Sequence, residues 1–209
     1  MTMYIDQILY PVESLGPGKR MAIWLVGCHR GCKGCSNPEL WSTEGRRDVS
    51  VSTVLRTIFE LHQENQIDGF TITGGEPMEQ AEELLALILG LRQISRDILV
   101  FSGYHIEELL KCKGAFSMIL ENIAVLVDGA YCEELNEQLP LRGSFNQRVL
   151  LLDTTFAEPY ADYLRQEHSP TQNMYFDGVT TSVGIHRKEF RNELKQKLRE
   201  YGVRSVEDG

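Results

Sequence analysis

The 209-residue sequence predicts an α/β fold on a largely parallel sheet, and three observations carry that expectation. Short apolar runs recur at Met21–Gly27, Gly69–Thr73, Ile98–Ser102 and Ile123–Val127, each too short for a helix and bounded by turn residues. Between them lie stretches whose apolar residues repeat at helical spacing. Each run also ends in or is followed at once by glycine, cysteine, serine or aspartate, so functional groups gather at the strand ends where parallel α/β folds keep their sites.

Taken in order, Ile8–Leu15 reads as an irregular, partly extended approach, and Gly16-Pro17-Gly18 as a tight turn into the first strand, residues 21–27. Val51, Val54, Leu55, Ile58 and Leu61 then mark the first crossover helix, with Ser50 or Ser52 as its cap. A strand at 69–73 leads to a helix over Met78–Gln93, whose Ala81, Leu84, Leu85, Ile88 and Leu91 form one stripe. A strand at 98–102, a helix starting at Ile106, a strand at 123–127 and the run Arg148–Leu152 follow. Beyond 152 the pattern weakens to a short helix near 159–166, a hairpin or last strand around the turn signal Asp177-Gly178, and a final helix. That helix sets Phe190, Leu194, Leu198 and Tyr201 on one face and Arg187, Lys188, Arg191, Lys195, Lys197 and Arg199 around the rest. One domain is expected, with a core over about 8–152 and a C-terminal extension at 153–209.

Composition narrows the class. A formal charge of −9 and a pI near 5.1 argue against sequence-independent nucleic-acid binding, which needs clustered Lys and Arg, and leave room only for a local basic patch. No apolar run approaches a membrane span, and the N-terminus lacks a basic region leading into an apolar one, so a soluble, cytoplasmic protein is expected. Five cysteines, three of them within eight residues, point to reduced thiols and a metal site.

Those three, Cys28, Cys32 and Cys35, leave the first strand in a loop. Three clustered thiols leave a structural zinc or a disulfide framework one partner short, although His29, Cys112 or Cys132 would complete a zinc knuckle. A [4Fe-4S] cluster held by three thiolates would keep one iron open to a ligand that is not protein.

The C-x3-C-x2-C spacing resembles the signature of the radical S-adenosylmethionine (SAM) superfamily. Gly16-Pro-Gly-Lys-Arg20, Cys32-Lys-Gly-Cys35, Thr73-Gly-Gly-Glu-Pro77, Leu126-Val-Asp-Gly129 and Arg142-Gly-Ser-Phe-Asn-Gln147 together resemble the anaerobic (class III) ribonucleotide reductase activating proteins. The match spans roughly residues 8–152. It implies a partial, open (β/α)6-like radical SAM barrel with a C-terminal extension, a [4Fe-4S] cluster on Cys28, Cys32 and Cys35, and SAM chelating the open iron. It further implies reductive cleavage of SAM to a 5′-deoxyadenosyl radical, a flavodoxin- or ferredoxin-type electron donor, and a glycyl-radical enzyme as the partner that loses the hydrogen. A small-molecule, nucleotide or peptide substrate is the alternative.

By the same resemblance Gly74, Gly75 and Glu76 would bind the SAM amino group through backbone carbonyls. Relatives more often carry Asp at position 76, a difference that barely alters a backbone contact. Ser102 would bond the SAM ribose or carboxylate, and Asp128 a ribose hydroxyl or a cation, although ordinary turn chemistry accounts for either. Val183 and Ile185 would press on the adenine or simply pack in the core. Arg142, Ser144, Asn146 and Gln147 read as a polar rim or a hydrogen-bonded turn. His29 and Arg30 would tune the cluster or lie solvated, and Cys112 and Cys132 are read as non-ligands.

Overall fold

The computed structural model describes residues 1–176 and 179–201. Six strands lie side by side in chain order: β1 (Ile5–Val12), β2 (Arg20–Leu25), β3 (Gly69–Gly74), β4 (Ile98–Ser102), β5 (Val125–Asp128) and β6 (Arg148–Leu151). β2 to β5 run parallel, while β1 and β6 are antiparallel edges. The irregular approach expected at 8–15 is thus largely an edge strand. Its two register shifts and its proline, tolerated only at a sheet edge, broke the alternation that would have marked it.

Strand side chains alternate between two faces. Met21, Ile23, Phe70, Ile72, Ile98, Val100 and Leu126 point to one face and pack on the crossover helices α1 (Val51–Glu64), α2 (Ala81–Leu91) and α4 (Ala115–Asn122), with the one-turn α3 (Ile106–Leu109) beside them. Ser50 caps α1, its hydroxyl accepting the Thr53 N–H at 3.1 Å. The helix expected over 78–93 opens as a 3-10 turn, Pro77–Gln80, before α2, because the chain must first turn away from the strand end. Among the described residues no helix is long and apolar enough to cross a membrane.

The other face is covered by the chain beyond 152. Tyr160 and Tyr163 of α5 (Ala157–Leu164) pack on Leu99, Val125 and Val127. The hairpin of β7 (Thr171–Phe176) and β8 (Val179–Gly184) sets Val183 among Leu15, Ala22 and Trp24. The turn signal Asp177-Gly178 lies outside the described residues. The last helix, α6, is Phe190–Glu200.

At the N-terminal ends of the strands the fully buried Arg20 donates to Thr71 Oγ1 (2.8 Å), Asp97 Oδ2 (2.7 Å) and the Phe70 carbonyl (2.5 Å). Tyr160 donates its hydroxyl to Asp97 Oδ1 at 2.7 Å. A buried guanidinium is tolerable only when paired and bonded on every side, as here. A Cβ on Gly69 would meet Arg20 Nη1 at 2.6 Å, so a glycine there makes room for the guanidinium.

Candidate functional site

The C-terminal ends of β2, β3 and β4 open into one cavity of about 690 Å³, lined in part by Cys28, Cys32, Cys35, Gly74, Gly75, Glu76 and Ser102. Seven of the eight residues expected to form the site are therefore brought together. Asp128 is not among those lining residues.

The cysteine loop leaves β2 through backbone pairing with the following segment, the Gly27 N–H donating to the Leu40 carbonyl (2.8 Å) and the Cys28 N–H to that of Trp41 (3.0 Å). Glu79 grips it at one end, accepting the His29 N–H (2.8 Å) and meeting His29 Nδ1 at 2.7 Å. Lys33 holds the other end through Glu134 (3.0 Å) and Glu133 (3.5 Å). Burial pushes the Cys28 thiol up, while hydrogen bonds from the Arg30 and Gly31 amides work against that. Metal ligands must be thiolates, and those amides favour that state.

Among the described residues, the set of three side chains with ligand atoms all within 4.8 Å is His105, Glu107 and Asp128. The three cysteine sulfurs do not all lie within that distance of one another. Neither Cys112, exposed after α3, nor Cys132, whose thiol lies 3.5 Å from Glu134, lines the cavity.

The Gly-Gly turn is built against the cysteine loop. The Gly75 N–H donates to the Leu25 carbonyl at 2.8 Å and the Glu76 N–H to that of Gly27 at 2.7 Å. A Cβ on Gly75 would lie 2.9 Å from the Gly27 carbonyl carbon and nearer still to its oxygen, and one on Gly74 would crowd Leu25. Gly74 also sits at φ +109°. Both glycines thus serve the approach of β3 to the residues entering Cys28, whatever ligand also uses them.

Position 76 matters through its side chain, which the sequence reading did not use. The Glu76 carboxylate is buried and accepts the Gly103 N–H (2.6 Å), the Ser102 hydroxyl (2.9 Å) and the Met78 N–H (3.0 Å). Burial raises its pKa while these three bonds oppose the rise. It clamps the end of β3 to that of β4 and caps the 3-10 turn, reaching further than an aspartate would. Ser102 is correspondingly committed, donating to Glu76 and accepting the Tyr104 N–H at 3.1 Å. Arg30 lies over the Tyr104 ring, 4.6 Å from its centroid, with its charge beside Glu76.

The structure gives Asp128 a different place from the one expected. It is fully buried and accepts Arg148 Nε (2.9 Å), a second bond from Arg148 Nη2 and the Ile106 N–H (2.8 Å). The Arg148 guanidinium already supplies the positive charge a bound cation would bring. Its neighbour Gly129 does line the cavity.

The Arg142–Gln147 stretch is a hydrogen-bonded turn. Gln147 accepts the Gly143 N–H (2.8 Å) and donates to the Gly129 carbonyl (2.8 Å), Asn146 donates to the Ala130 carbonyl (2.8 Å), and Ser144 Oγ accepts the Cys132 N–H (3.1 Å). Arg142 lies over Phe145. The extension completes the cavity: Val183 and Ile185 line it, and His186, bonded to Ser182 (2.8 Å) and stacked on Phe190, stands beside them.

Comparison with known proteins fits this picture. The family model described as "4Fe-4S single cluster domain" matches residues 14–150. A protein of Enterobacteria phage T4 named anaerobic ribonucleoside-triphosphate reductase-activating protein is 31% identical over 152 residues, 70% of this chain and 93% of its own. Proteins of the same name from Escherichia coli K12 (31% over 147 residues, 67% and 94%) and Haemophilus influenzae (32% over 149 residues, 67% and 93%) are similar to the same degree.

Proposed function

Because the chain belongs to the 4Fe-4S single-cluster family and to that of the anaerobic ribonucleoside-triphosphate reductase-activating proteins, we propose that it activates a glycyl-radical enzyme such as an anaerobic ribonucleotide reductase. One observation carries the reading: three cysteines and a Gly-Gly turn share one cavity at the C-terminal ends of parallel strands. Cys28, Cys32 and Cys35 would hold a [4Fe-4S] cluster, and the backbone at Gly74 and Gly75 would face the SAM methionyl group. With both bound, the cluster would supply the electron, received from a flavodoxin- or ferredoxin-type donor, for reductive cleavage of SAM, the chemistry needed to take a hydrogen from the partner's glycine. The chain's own part is to fix the loop through Glu79 and Glu134, to hold the two strand ends together through Glu76, and to wall the cavity from water. Strands in chain order with three crossover helices on one face support assignment of the sheet to an open (β/α)6-like radical SAM barrel.

A small-molecule substrate is the second reading, favoured by residues 180–194 of the extension, several of which narrow the cavity. The test has two parts. Anaerobic reconstitution is expected to give about four irons per chain, lost when Cys28, Cys32 or Cys35 becomes serine and kept when Cys112 and Cys132 do. With SAM, a reductant and the glycyl-radical enzyme of the same genome, a doublet electron spin resonance signal is expected on the partner, absent when its glycine is alanine. A SAM-cleaving protein that yields no such signal would move the function to the small-molecule reading.

A further inference from the structure

Among the described residues, the two-stranded hairpin of the extension leaves the outer edge of each strand without a partner strand. β7 and β8 form a sheet of their own, with Phe176 opposite Val179 and Gly184 opposite Thr171. Among the described residues β8 therefore pairs on one side only. Residues 180–184 all line the cavity that holds the cysteines, whereas residues 171–175 of β7 do not. Successive side chains of a strand point to opposite faces, so what these five share is their edge, and it is the edge away from β7 that meets the cavity. In an antiparallel pair alternate residues turn their amide groups outward, and counting from the Phe176–Val179 pair across the two-residue connection these are Thr180, Ser182 and Gly184. The side chains along this edge, Thr180, Thr181, Ser182 and Gly184, are small enough to let another backbone approach. Val183 instead turns into the core at 2% exposure and anchors the strand, its carbonyl accepting the Ser14 hydroxyl at 2.9 Å.

We propose that the free edge of β8 is a docking rail for an extended, glycine-bearing segment of the macromolecular substrate, which pairs with it as an added strand and so enters the cavity facing the cysteine loop. Unpaired strand edges are templates for this mode of binding: backbone bonds hold the segment, and the side chains around it choose the sequence. The proposal rests on the activase reading and deepens it. The family model ends at residue 150 and β8 lies beyond, so the rail belongs to the extension rather than to the matched core. It also reconciles a narrowed cavity with a protein substrate, since a single extended strand needs little width.

The experiment uses the whole reconstituted chain and a fluorescent peptide of about twelve residues centred on the radical glycine of the partner, with binding followed by anisotropy. Strand pairing engages the amides of alternate residues, so N-methylation in one register should weaken binding about tenfold, the size of one or two lost hydrogen bonds, while methylation in the other register changes it little. Ser182→Pro, which deletes an outward amide at a position where an edge strand accepts proline, should weaken the unmodified peptide by a similar factor. Equal affinity for both methylated peptides overturns the proposal on the native protein, whatever the variant does. Loss of SAM binding in Ser182→Pro with peptide affinity unchanged would assign the edge to the cofactor and overturn it as well. A partner doublet with no register dependence would sink the rail alone; no doublet at all would sink the rail and the activase reading together.

Discussion

Replacing Gly75 by alanine tests whether the Gly-Gly turn and the cysteine loop are one mechanical unit. The new Cβ would lie 2.9 Å from the Gly27 carbonyl carbon. Carbon atoms rest at about 3.5 Å or more, so the strand ends must part by at least about 0.6 Å. Two hydrogen bonds cross that gap, from the Gly75 N–H to Leu25 and from the Glu76 N–H to Gly27. Breaking both costs about 3 kcal/mol at about 1–3 kcal/mol each for buried groups, and in a chain of this size that lowers Tm by about 6–12 °C. Because Gly27 adjoins Cys28, the displacement reaches the loop, and iron retained after anaerobic reconstitution falls too. Circular-dichroism melts and iron analysis on the same samples read both effects. Gly45→Ala is the control: no atom lies within 4 Å of its Cβ, and the cost is the left-handed φ of +71° alone, about 1 kcal/mol. A Gly75→Ala protein with full iron and a Tm within about 2 °C of the parent would refute the reasoning.

Three further outcomes are expected. Asp97→Ala leaves the Arg20 guanidinium buried without its carboxylate and should cost about 3–5 kcal/mol in urea unfolding; a loss below about 1 kcal/mol would mean that water reaches Arg20. Burial pushes the Tyr163 phenol up to about 12, so above pH 10 the unfolded chain loses that proton while the folded one keeps it. Stability should therefore fall between about pH 10 and 12, by about 1.4 kcal/mol per pH unit from this group, and Tyr163→Phe should flatten the slope of urea midpoint against pH. Asp128→Asn weakens the Arg148 pair and should lower Tm by several degrees while SAM affinity, read by calorimetry, stays within about threefold; the opposite pattern would restore Asp128 to a ligand role.

What could be read in the sequence was whatever is written locally. The period of Val51, Val54 and Ile58, the cap at Ser50 and the apolar runs of the parallel strands each sit within one short window, and each reappears in the structure. The cysteines and glycines were likewise legible because chemistry and turn geometry restrict their residue types. Arg20 was not legible in the same way. Its role depends on Asp97, 77 residues away, and on Tyr160, and no local pattern announces a buried cation. The side-chain partners of Glu76 and Asp128 were hidden for a related reason: a carboxylate at a strand end looks the same in sequence whether it faces a ligand or another strand. The partner decides, and here the partners are Ser102 and Gly103 for one, Arg148 and Ile106 for the other. The extension was legible as hairpin and helix, but nothing in its composition said which of its edges would meet the cavity.

The loop that carries the cysteines is moored at the surface: His29 is 93% exposed and Lys33 78%. Surface ties of that kind are worth about 1 kcal/mol or less apiece, whereas the sheet and its helices are secured by a core in which none of the three cysteines takes part. Maturation then has an order. The chain is expected to reach its native shape first, with iron and sulfide delivered into a finished scaffold. This is the reverse of a zinc finger, where the metal is what folds the chain.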